Sequence, residues 1–421
     1  MILHLDLDSF FVSAERTKDR TLLNKKVIVG GRSDRFIFEQ KGYKKAMTAN
    51  RGAFVPSLFF SKDGFKGRSY FLDGDRIRGI VITASYEARA YGIKTGMSIK
   101  EAVSLCPNLI VLPPNHILYH TLSFRLNHLL KRYMPIVEQY SIDEFFADLS
   151  GFIEDDKVIF FAYQIKKIVK DRLNLPISIG IAQTKWIAKL ATSFAKPEGI
   201  KMVDQDKIYD FIKDIPIEKF PGIGKSWAKR LQSYKKGTLG DIYNSKTFFY
   251  SQGRESKELY DRISGSDRDK VIPKKERKSI GISRTFDPVG DRNEIKRRLH
   301  ILIRHISFIL NRSGYRASTI FLSIKYEFKE KSKKHKTYNR IFTESFLKRE
   351  FIKLFEEIDI YKSSKIIRLS LSLTNFNNIK NSTYSLLHIR SDRTEKKLYE
   401  NIDKLRRRYG VDIVKHAIEM V

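Results

Sequence analysis

Two short acidic segments embedded in apolar residues constrain the fold of this chain more than any other feature. The first runs from Tyr140 to Leu149, where Asp143 and Glu144 stand side by side among residues that favour β-strands. Neighbouring side chains of a strand point to opposite faces, so this pair requires either a turn at the carboxylates or a cation between them. The second segment, from Ile2 to Asp8, has the same acidic and apolar character.

Pairing of these two segments as adjacent strands would concentrate negative charge. Asp6 and Asp8 share a face of the first strand, so up to four carboxylates would converge with Asp143 and Glu144. Such a cluster repels itself unless divalent cations neutralise it, and hard cations such as Mg²⁺ take oxygen ligands. Two unrelated, solvated acidic turns would give the same pattern, so spacing alone leaves both interpretations open.

The charge balance indicates a polyanionic partner. Among 421 residues, 80 are Lys or Arg and 48 are Asp or Glu, which gives a net charge of +32. The 20 Tyr and 29 Phe residues suit base stacking beside phosphate contacts, although a ribosomal or other RNA-binding protein could share this composition. A single cysteine, Cys106, excludes an intrachain disulfide and fits a reducing cytosol. With no apolar run near 18 residues, we expect a cytoplasmic protein rather than a membrane-spanning one.

Patterning divides the chain into several regions. Residues 79–204 mix strand and helix signals as in an α/β or α+β domain, and residues 205–272 are mostly helical. The segment 32–78 has no clear period and holds 11 Lys and Arg, nine Phe and Tyr and five Gly, so we interpret it as a loop-rich insertion. Residues 280–375 alternate apolar and polar positions in two strands, which predicts a helix-backed sheet with a polar, partly basic open face.

The tail carries a helix signal of its own. We predict a helix from about Thr394, because Asp392 and Glu395 are spaced as a capping box and Gly410 is a stop signal. Its apolar positions form one stripe, composed of Leu398, Ile402, Leu405 and Tyr409.

Seven segments in this order and spacing resemble the Y-family translesion DNA polymerases of the DNA polymerase IV type. They are HLDLDSFFVSAE from His4, VIVGG from Val27, ITASYEARAYGIKTGM from Ile82, YSIDEFFADLS from Tyr140, SIGIAQTKWIAKLATSFAKPEGI from Ser178, FPGIGKSWAKRL from Phe220 and RKSIGISRTF from Arg277. They span most of residues 1–375. The insertion 32–78 departs from the family pattern, which usually joins these strands with a short loop.

The resemblance implies an α+β multidomain fold shaped like a right hand. The implied parts are a palm (1–10 and 114–204), fingers (11–113, with the insertion 32–78), a helical thumb with a helix-hairpin-helix (205–272), a linker (273–279), an α/β little finger (280–375) and a C-terminal tail and helix (376–421). The implied activity is template-directed, low-fidelity DNA synthesis past damaged template, without proofreading. Primer-template DNA and a deoxynucleoside triphosphate would be its partners, and a monomer is expected.

The resemblance also assigns the catalytic residues. Asp6, Asp143 and Glu144 would hold two Mg²⁺ ions, with the Leu7 carbonyl as a further ligand. One ion would lower the pKa of the primer 3′-hydroxyl, and the other would hold the triphosphate and the leaving pyrophosphate. Asp8 matches an acidic position whose direct metal role is less certain, and Asp148 is expected to be structural.

Further residues match the family's substrate contacts. On a predicted helix, Tyr86 and Arg89 share a face that would hold the triphosphate, with Thr83 and Lys196 nearby. Phe11 matches the steric gate that excludes a ribose 2′-hydroxyl, whereas Phe10 fits the core better. The segment Pro221–Lys225 resembles a helix-hairpin-helix DNA clamp and is called the clamp motif below. The DNA-binding residues implied for this motif, its following helix and the linker are Gly222, Gly224, Lys225, Lys229, Arg277 and Lys278.

Three questions stay open at this point. Residues Ser385–Leu387 lie where family members carry a peptide for the sliding clamp, but the family's Gln is missing, and Leu386 and Leu387 could instead fold under the final helix. Ser141–Phe145 resembles the Gly-Gly-Asp-Glu-Phe signature of cyclic-dinucleotide synthases, although no Gly pair precedes Asp143. A non-catalytic DNA-binding protein on a palm fold is the other alternative.

Overall fold

The computed structural model describes residues 1–32, 37–38, 70–73, 76–273, 276–328, 330–377, 385 and 387–420. The described residues form two compact units. The first contains 1–31 and the described residues of 67–273, and the second contains Arg32, Ile37, Phe38 and everything from Glu276 onward. Most of the predicted insertion 32–78, and linker residues Lys274 and Lys275, lie outside the described residues.

The first unit alternates strands and helices before becoming helical. Its elements are β1 (Ile2–Leu7), α1 (Phe10–Lys18), β2 (Val27–Gly31), β3 (Leu72–Asp73), β4 (Arg76–Ile77), β5 (Ile80–Ala84), α2 (Tyr86–Arg89), α3 (Ile99–Leu105), β6 (Ile110–Leu112), α4 (His116–Tyr133), β7 (Ile136–Gln139), β8 (Glu144–Asp148), α5 (Val158–Leu173), β9 (Ile177–Ala182), α6 (Lys185–Ala195) and β10 (Ile200–Val203). Five helices follow: α7 (Ile208–Ile212), α8 (Lys225–Ser233), α9 (Leu239–Tyr243), α10 (Lys246–Ser251) and α11 (Arg254–Ser264). The mixed region and the helical region therefore lie where the sequence predicts them.

A five-stranded sheet in the order β10-β9-β1-β8-β7 is the centre of this unit. The two acidic segments pair as antiparallel strands, and the register sets Asp6 opposite Glu144. Alternate residues of β1 enter different cores: Leu3 and Leu5 pack with residues of α4 and α5, whereas Ile2 packs with residues of α6 and the helices after β10. Solvated, unrelated turns are thereby ruled out.

A smaller sheet in the order β5-β2-β6 has its own core with α3. The core is tight around Gly30, because a Cβ there would lie 2.6 Å from both Phe71 and Ile99 side-chain atoms. Phe71, near the end of the insertion, is therefore built into this core. Ser98 caps α3 by accepting a hydrogen bond from the backbone N–H of Glu101.

The second unit has a four-stranded sheet backed by helices, as predicted. Its elements are β11 (Ser279–Val289), α12 (Arg292–Ser313), β12 (Arg316–Tyr326), β13 (Lys331–Thr337), α13 (Glu344–Ile358), β14 (Ile366–Asn377) and α14 (Ile389–Tyr409), and the strand order is β11-β14-β12-β13. In β12, Ile320, Leu322 and Ile324 are fully buried, whereas the residues between them are partly exposed. The alternation seen in the sequence therefore separates a core face from an open face.

The predicted capping box of the final helix is wrong. Helix α14 begins at Ile389, one turn earlier than expected, so Asp392 lies inside it. The Asp392 carboxylate accepts hydrogen bonds from the Arg340 guanidinium at 2.8 and 2.6 Å, and Glu395 accepts one from Thr343 at 2.6 Å. The side chains of Asp392 and Glu395 therefore bind residues distant in sequence instead of capping the helix. The predicted stop at Gly410 is confirmed.

Polar and charged side chains dock the C-terminal segment 389–420 onto α12 and α13. Buried Arg406 of α14 donates to Glu344 at 2.6 Å, and Lys348 lies 2.8 Å from Glu344 and 2.5 Å from Glu419. Arg304 completes the network by pairing with Glu419 and with Asp412. Burial alone would raise the pKa of Glu344, but hydrogen bonds from His416 and Arg406 and the nearby positive charges hold it well below its usual range.

The apolar stripe of α14 faces outward. Leu398, Leu405 and Tyr409 are 57%, 48% and 53% exposed, and Ile402 is partly buried. The face toward the unit instead carries Asp392, Tyr399, Asp403 and Arg406. Across the described ranges, none of the helices combines the length and apolar character needed to span a membrane.

Candidate active site

The candidate active site lies between one face of the five-stranded sheet and α6. A row of polar side chains at helical spacing, Lys185, Lys189 and Thr192, continues through Lys196 just beyond the helix. Each member has a polar partner on the sheet: Lys185 pairs with Glu138, Lys189 with Glu144, Thr192 with His4, and Lys196 with Asp6. The carboxylates of the acidic strands therefore meet a matching row of cations.

Asp6 is the most strongly perturbed carboxylate of the site. Burial raises its pKa to about 7, and the neighbouring charges of Asp143 and Glu144 add to this effect, although Lys196 opposes it. The Lys196 ammonium lies 2.6 Å from Asp6 Oδ1. Without that partner the buried negative charge would be still less stable, so the position favours a cation.

The adjacent pair Asp143 and Glu144 is resolved by a turn, one of the two solutions that strand geometry permits. Asp143 lies just before β8 and accepts a short hydrogen bond from Ser141, and burial raises its pKa. Glu144 opens β8, accepts a hydrogen bond from Lys189, and lies 3.8 Å from Nε2 of buried His4. Burial, with the charges of Lys189 and Lys196, holds the pKa of His4 well below its usual range, so the ring is neutral.

The donor set has the right chemistry for Mg²⁺, but the side chains are engaged elsewhere. Asp6, Asp143 and Glu144 supply carboxylate oxygens, and the Leu7 N–H bonds the Asp143 carbonyl at 3.0 Å, which fixes the two strands together at this point. As the side chains stand, no three or more His, Cys, Asp or Glu residues in the described ranges form a group that could hold a metal ion. Lys196 forms an ion pair with Asp6, and Lys189 forms one with Glu144. A divalent cation would therefore have to displace both lysine ammonium groups from these carboxylates.

Asp8 has a different set of partners from the other carboxylates of the site. Its buried carboxylate accepts hydrogen bonds from the Ser178 hydroxyl at 2.8 Å, the Glu198 backbone N–H at 2.8 Å and the Tyr86 hydroxyl at 3.1 Å. One side chain thus ties α2, β9 and the turn after Lys196 together. The three donors engage both carboxylate oxygens, which favours a positioning role for Asp8.

Tyr86 and Arg89 share one face of α2, as the spacing predicts. The Arg89 guanidinium lies 4.9 Å from the centre of the Tyr86 ring, and its Nε donates to the Ala84 carbonyl at 3.0 Å. Arg89 is exposed, so its remaining donors face solvent. Thr83 is partly buried on β5, where it pairs with Val29 of β2.

Both phenylalanines after β1 are buried. Phe10 and Phe11 open α1, and the Phe11 ring stacks on Tyr119 at 4.3 Å with an interplanar angle of 10°. The Tyr119 hydroxyl in turn donates to Glu15 at 2.7 Å. Tyr119 was not singled out from the sequence, where it looks like an ordinary core position of an amphipathic helix.

The clamp motif is followed by helix α8, but the element before it is shorter than the helix predicted from the resemblance. Gly224 is the N-cap of α8, Gly222 has φ +98°, and both are exposed with Lys225 and Lys229. The motif follows a 3-10 turn, Ile217–Lys219, where we expected a full helix. The first-turn N–H groups of α8 lack a side-chain cap and are available to an anion.

Linker residues Arg277 and Lys278 belong to the second unit. The Arg277 backbone N–H bonds the Tyr315 hydroxyl at 3.4 Å, and Lys278 is exposed just before β11. In the unit's open sheet face, Arg368 donates to the Ser283 hydroxyl at 2.8 Å. Positive and hydroxyl-bearing side chains therefore line this face.

Comparisons with known proteins identify the family. Sequence models of the impB/mucB/samB family and of its C-terminal domain match residues 5–193 and 277–386. A Serratia proteamaculans protein named DNA polymerase IV is 30% identical over 288 residues, which is 68% of this chain and 70% of the relative. A Clostridium kluyveri protein of the same name is 30% identical over 358 residues, covering 80% and 88%.

Solved structures agree at the level of the fold. A Y-family DNA polymerase chimera superposes with a TM-score of 0.71 at 22% identity, covering 89% of this chain and 98% of the other. DinB from Sulfolobus solfataricus superposes with a TM-score of 0.52 at 22% identity, with the same coverage. The chain therefore belongs to the impB/mucB/samB family, the Y-family DNA polymerases of the DNA polymerase IV type.

Proposed function

We propose that this protein is a template-directed DNA polymerase that extends a primer past damaged template, with low fidelity and without proofreading. The observation that carries the proposal is the strand register that sets Asp6 opposite Glu144, next to Asp143, on a face lined by cations. The relatives named DNA polymerase IV support the substrate class, since the chain spans 70% and 88% of their lengths.

The chemistry we propose is two-metal-ion nucleotidyl transfer. Two Mg²⁺ ions, when bound, would lower the pKa of the primer 3′-hydroxyl and neutralise the triphosphate and the leaving pyrophosphate. Asp6, Asp143, Glu144 and the Leu7 carbonyl would hold them. The half-buried carboxylates fit this task, because burial and the neighbouring charges of Asp143 and Glu144 raise the pKa of Asp6, and a bound cation would favour its charged form.

The substrate contacts follow from the row of cations. Lys196, released from Asp6, is free to donate to triphosphate oxygens, and exposed Arg89 presents a fork that can donate two parallel hydrogen bonds to phosphate. Asp8 holds the Tyr86 hydroxyl, which keeps the Tyr86 and Arg89 face in place. Phe11 would exclude the ribose 2′-hydroxyl, with Tyr119 behind it as a support.

Nucleic-acid contacts are assigned to two surfaces. Gly222 and Gly224 let the backbone approach a phosphate, and Lys225 and Lys229 add charge to the same helix end. Arg277 and Lys278 are proposed to lie along the duplex backbone, together with the open sheet face of the second unit. These contacts are to phosphate, so binding should be independent of sequence and steeply dependent on salt.

Primer extension on a labelled primer-template tests the proposal. Asp143→Asn should lower the extension rate by about 10²–10³-fold or more, because a charged ligand is lost at the position where charge develops. Binding of the same DNA, measured by fluorescence anisotropy, should be nearly unchanged. Asp148→Asn is the matched control, since Asp148 ends the strand that begins just after Asp143 and accepts a hydrogen bond from the Ser150 backbone N–H at 3.0 Å.

Three outcomes would contradict the assignment. Extension by Asp143→Asn at the wild-type rate would remove this residue from the site. A wild-type protein that binds DNA but never extends it would be the non-catalytic alternative. Consumption of GTP without template would instead indicate a cyclic-dinucleotide synthase.

The remaining proposals concern location, oligomeric state and a protein partner. We propose a cytoplasmic monomer that contacts the sliding clamp through Ser385–Leu387. Leu387 is 90% exposed, and the Ser385 N–H bonds the Asn339 carbonyl at 3.2 Å, which supports an accessible peptide. Leu386, Thr383 and Tyr384 lie outside the described residues.

A further inference from the structure

The outward face of α14 combines an apolar row with a parallel basic row. Leu398, Ile402, Leu405 and Tyr409 follow at spacings of four, three and four residues, so they form one line about 16 Å long. Three of the four are about half exposed or more. Scattered apolar side chains are normal on a surface, but a continuous helical row is typical of an interface.

The basic row lies along one edge of this line. It consists of Arg390, Lys397, Lys404 and Arg408, all exposed, at spacings of seven, seven and four residues. The Arg408 guanidinium also lies 5.3 Å from the centre of the Tyr409 ring, so the two rows touch.

The inner face of the segment explains why the outer face is basic. Five of its six acidic side chains, those of Asp392, Glu395, Asp403, Asp412 and Glu419, contact residues outside the segment. Among the lysines and arginines of the described segment, only Arg406 forms an ion pair outside it, and His416 adds a contact to the same Glu344 carboxylate at 3.5 Å. Docking therefore pairs most of the segment's acidic side chains with the rest of the unit, and most of its lysines and arginines stay on the outward face.

We propose that this outward face of α14 docks an acidic amphipathic helix of a partner protein. Apolar residues at i, i+4, i+7 and i+11 are the anchors by which one helix face meets another, and a basic flank selects an acidic partner. A second copy of this chain fits poorly, because the same basic rows would repel each other. Nucleic acid would use the basic row but leave the leucines against phosphate and water.

The match to the family's C-terminal domain ends at residue 386, before α14 begins. None of the α14 residues is among those of the proposed active site, and the proposal does not depend on polymerase activity.

Binding of two synthetic peptides to the full-length protein tests the proposal. Both are fluorescein-labelled, 18-residue amphipathic helices with leucines at helical spacing; one has glutamates beside them and the other has lysines. The glutamate peptide should bind at least about tenfold more tightly, as read by fluorescence anisotropy. Leu398→Asp/Leu405→Asp should weaken its binding at least about tenfold, a change of only about 1.4 kcal/mol.

Charge reversal tests the second row. Lys397→Glu/Arg408→Glu should weaken binding of the glutamate peptide at least about tenfold and move the preference toward the lysine peptide. The matched control is Lys396→Glu/Arg407→Glu, the same change on the side of α14 away from both rows, which should leave the preference in place. Thermal melting and basal primer extension of every variant should match wild type, since none of these residues is in the core or the active site.

Three results would overturn the proposal. Equal binding by wild type and Leu398→Asp/Leu405→Asp would show that the apolar row is not an anchor. A wild-type dimer in sedimentation that this variant abolishes would make the occupant a second copy. Single-stranded DNA binding that is lost with the two leucines would make it nucleic acid.

Discussion

Replacing Asp8 by alanine separates positioning of the triphosphate site from metal binding. The carboxylate of Asp8 is 2% exposed and holds three donors, those of Tyr86, Ser178 and Glu198. A hydrogen bond to a charged group contributes about 1.5–3 kcal/mol. Two of the three donors belong to segments proposed to contact the triphosphate, so about 2–3 kcal/mol of substrate positioning is at stake, or about 30- to 150-fold in kcat/KM.

Single-nucleotide incorporation kinetics measure this effect. We expect Asp8→Ala to raise KM for the deoxynucleotide more than it lowers kcat, because the segments of Tyr86 and Lys196 lose a support while the carboxylates of Asp6, Asp143 and Glu144 stay in place. Asp8→Asn keeps an acceptor for two of the three donors and should lie between alanine and wild type. Tyr86→Phe removes a single hydrogen bond to the carboxylate and should cost about tenfold, the low end of the range for a hydrogen bond to a charged group.

A different change in the kinetics of Asp8→Ala would contradict the positioning role of Asp8. If Asp8→Ala lowered kcat at unchanged KM and required a higher Mn²⁺ concentration, Asp8 would be a metal ligand and the positioning argument would fail. Mn²⁺ binding to the free protein, followed by electron paramagnetic resonance, gives this readout without turnover. Thermal melting of the same variants shows whether a loss of activity is only a loss of folding.

Two further predictions concern side-chain space. Phe11→Ala should raise the ratio of ribonucleotide to deoxynucleotide incorporation, and an unchanged ratio would assign sugar choice to another residue. Phe10→Ala should leave that ratio unchanged and lower the free energy of unfolding by about 3–5 kcal/mol, as measured by chemical denaturation. Gly180→Ala should destabilise the protein by at least about 1–3 kcal/mol, because its Cβ would lie 2.0 Å from the Ala188 carbonyl where α6 crosses β9. Gly290→Ala, which meets only Lys365 at 3.9 Å, is its control, and equal melting temperatures would refute the tight crossing.

The two acidic strands and their pairing could be predicted from the sequence, because their charge and their alternation of apolar and polar residues fit few arrangements of strands. The segment containing Asp6 and the one containing Asp143 each carry acidic residues in apolar strands, and only their pairing concentrates the charge in one place. Tail prediction failed for the opposite reason. Asp392 fits a local capping box as well as it fits a partner 52 residues away, and only the folded chain decides between them.

The polar row along α6 was only partly predicted: the resemblance assigned Lys196, but Lys185, Lys189 and Thr192 were not identified although their spacing is visible in the sequence. Lys185, Lys189, Thr192 and Lys196 follow at four, three and four residues, but lysines are almost never buried unless paired, so such a row normally indicates a solvated face. Recognising it requires knowing that Glu138 and Glu144 lie opposite, which is a long-range contact. Helical spacing that matches a separate acidic cluster is the signal that could have found it.

The ionic docking of segment 389–420 has a thermodynamic consequence. Heat-capacity changes on unfolding come mainly from apolar surface, and the inner face of α14 offers little of it, so detachment of the segment should carry a small heat-capacity change. Its docking is therefore governed by protons and ions more than by temperature. Because the pKa of Glu344 is lower in the folded chain than its ordinary value, docking is fully stabilised near neutral pH and weakens as the pH falls below about 4.5. We therefore expect acid to detach this segment from α12 and α13 while the apolar core of the unit stays folded.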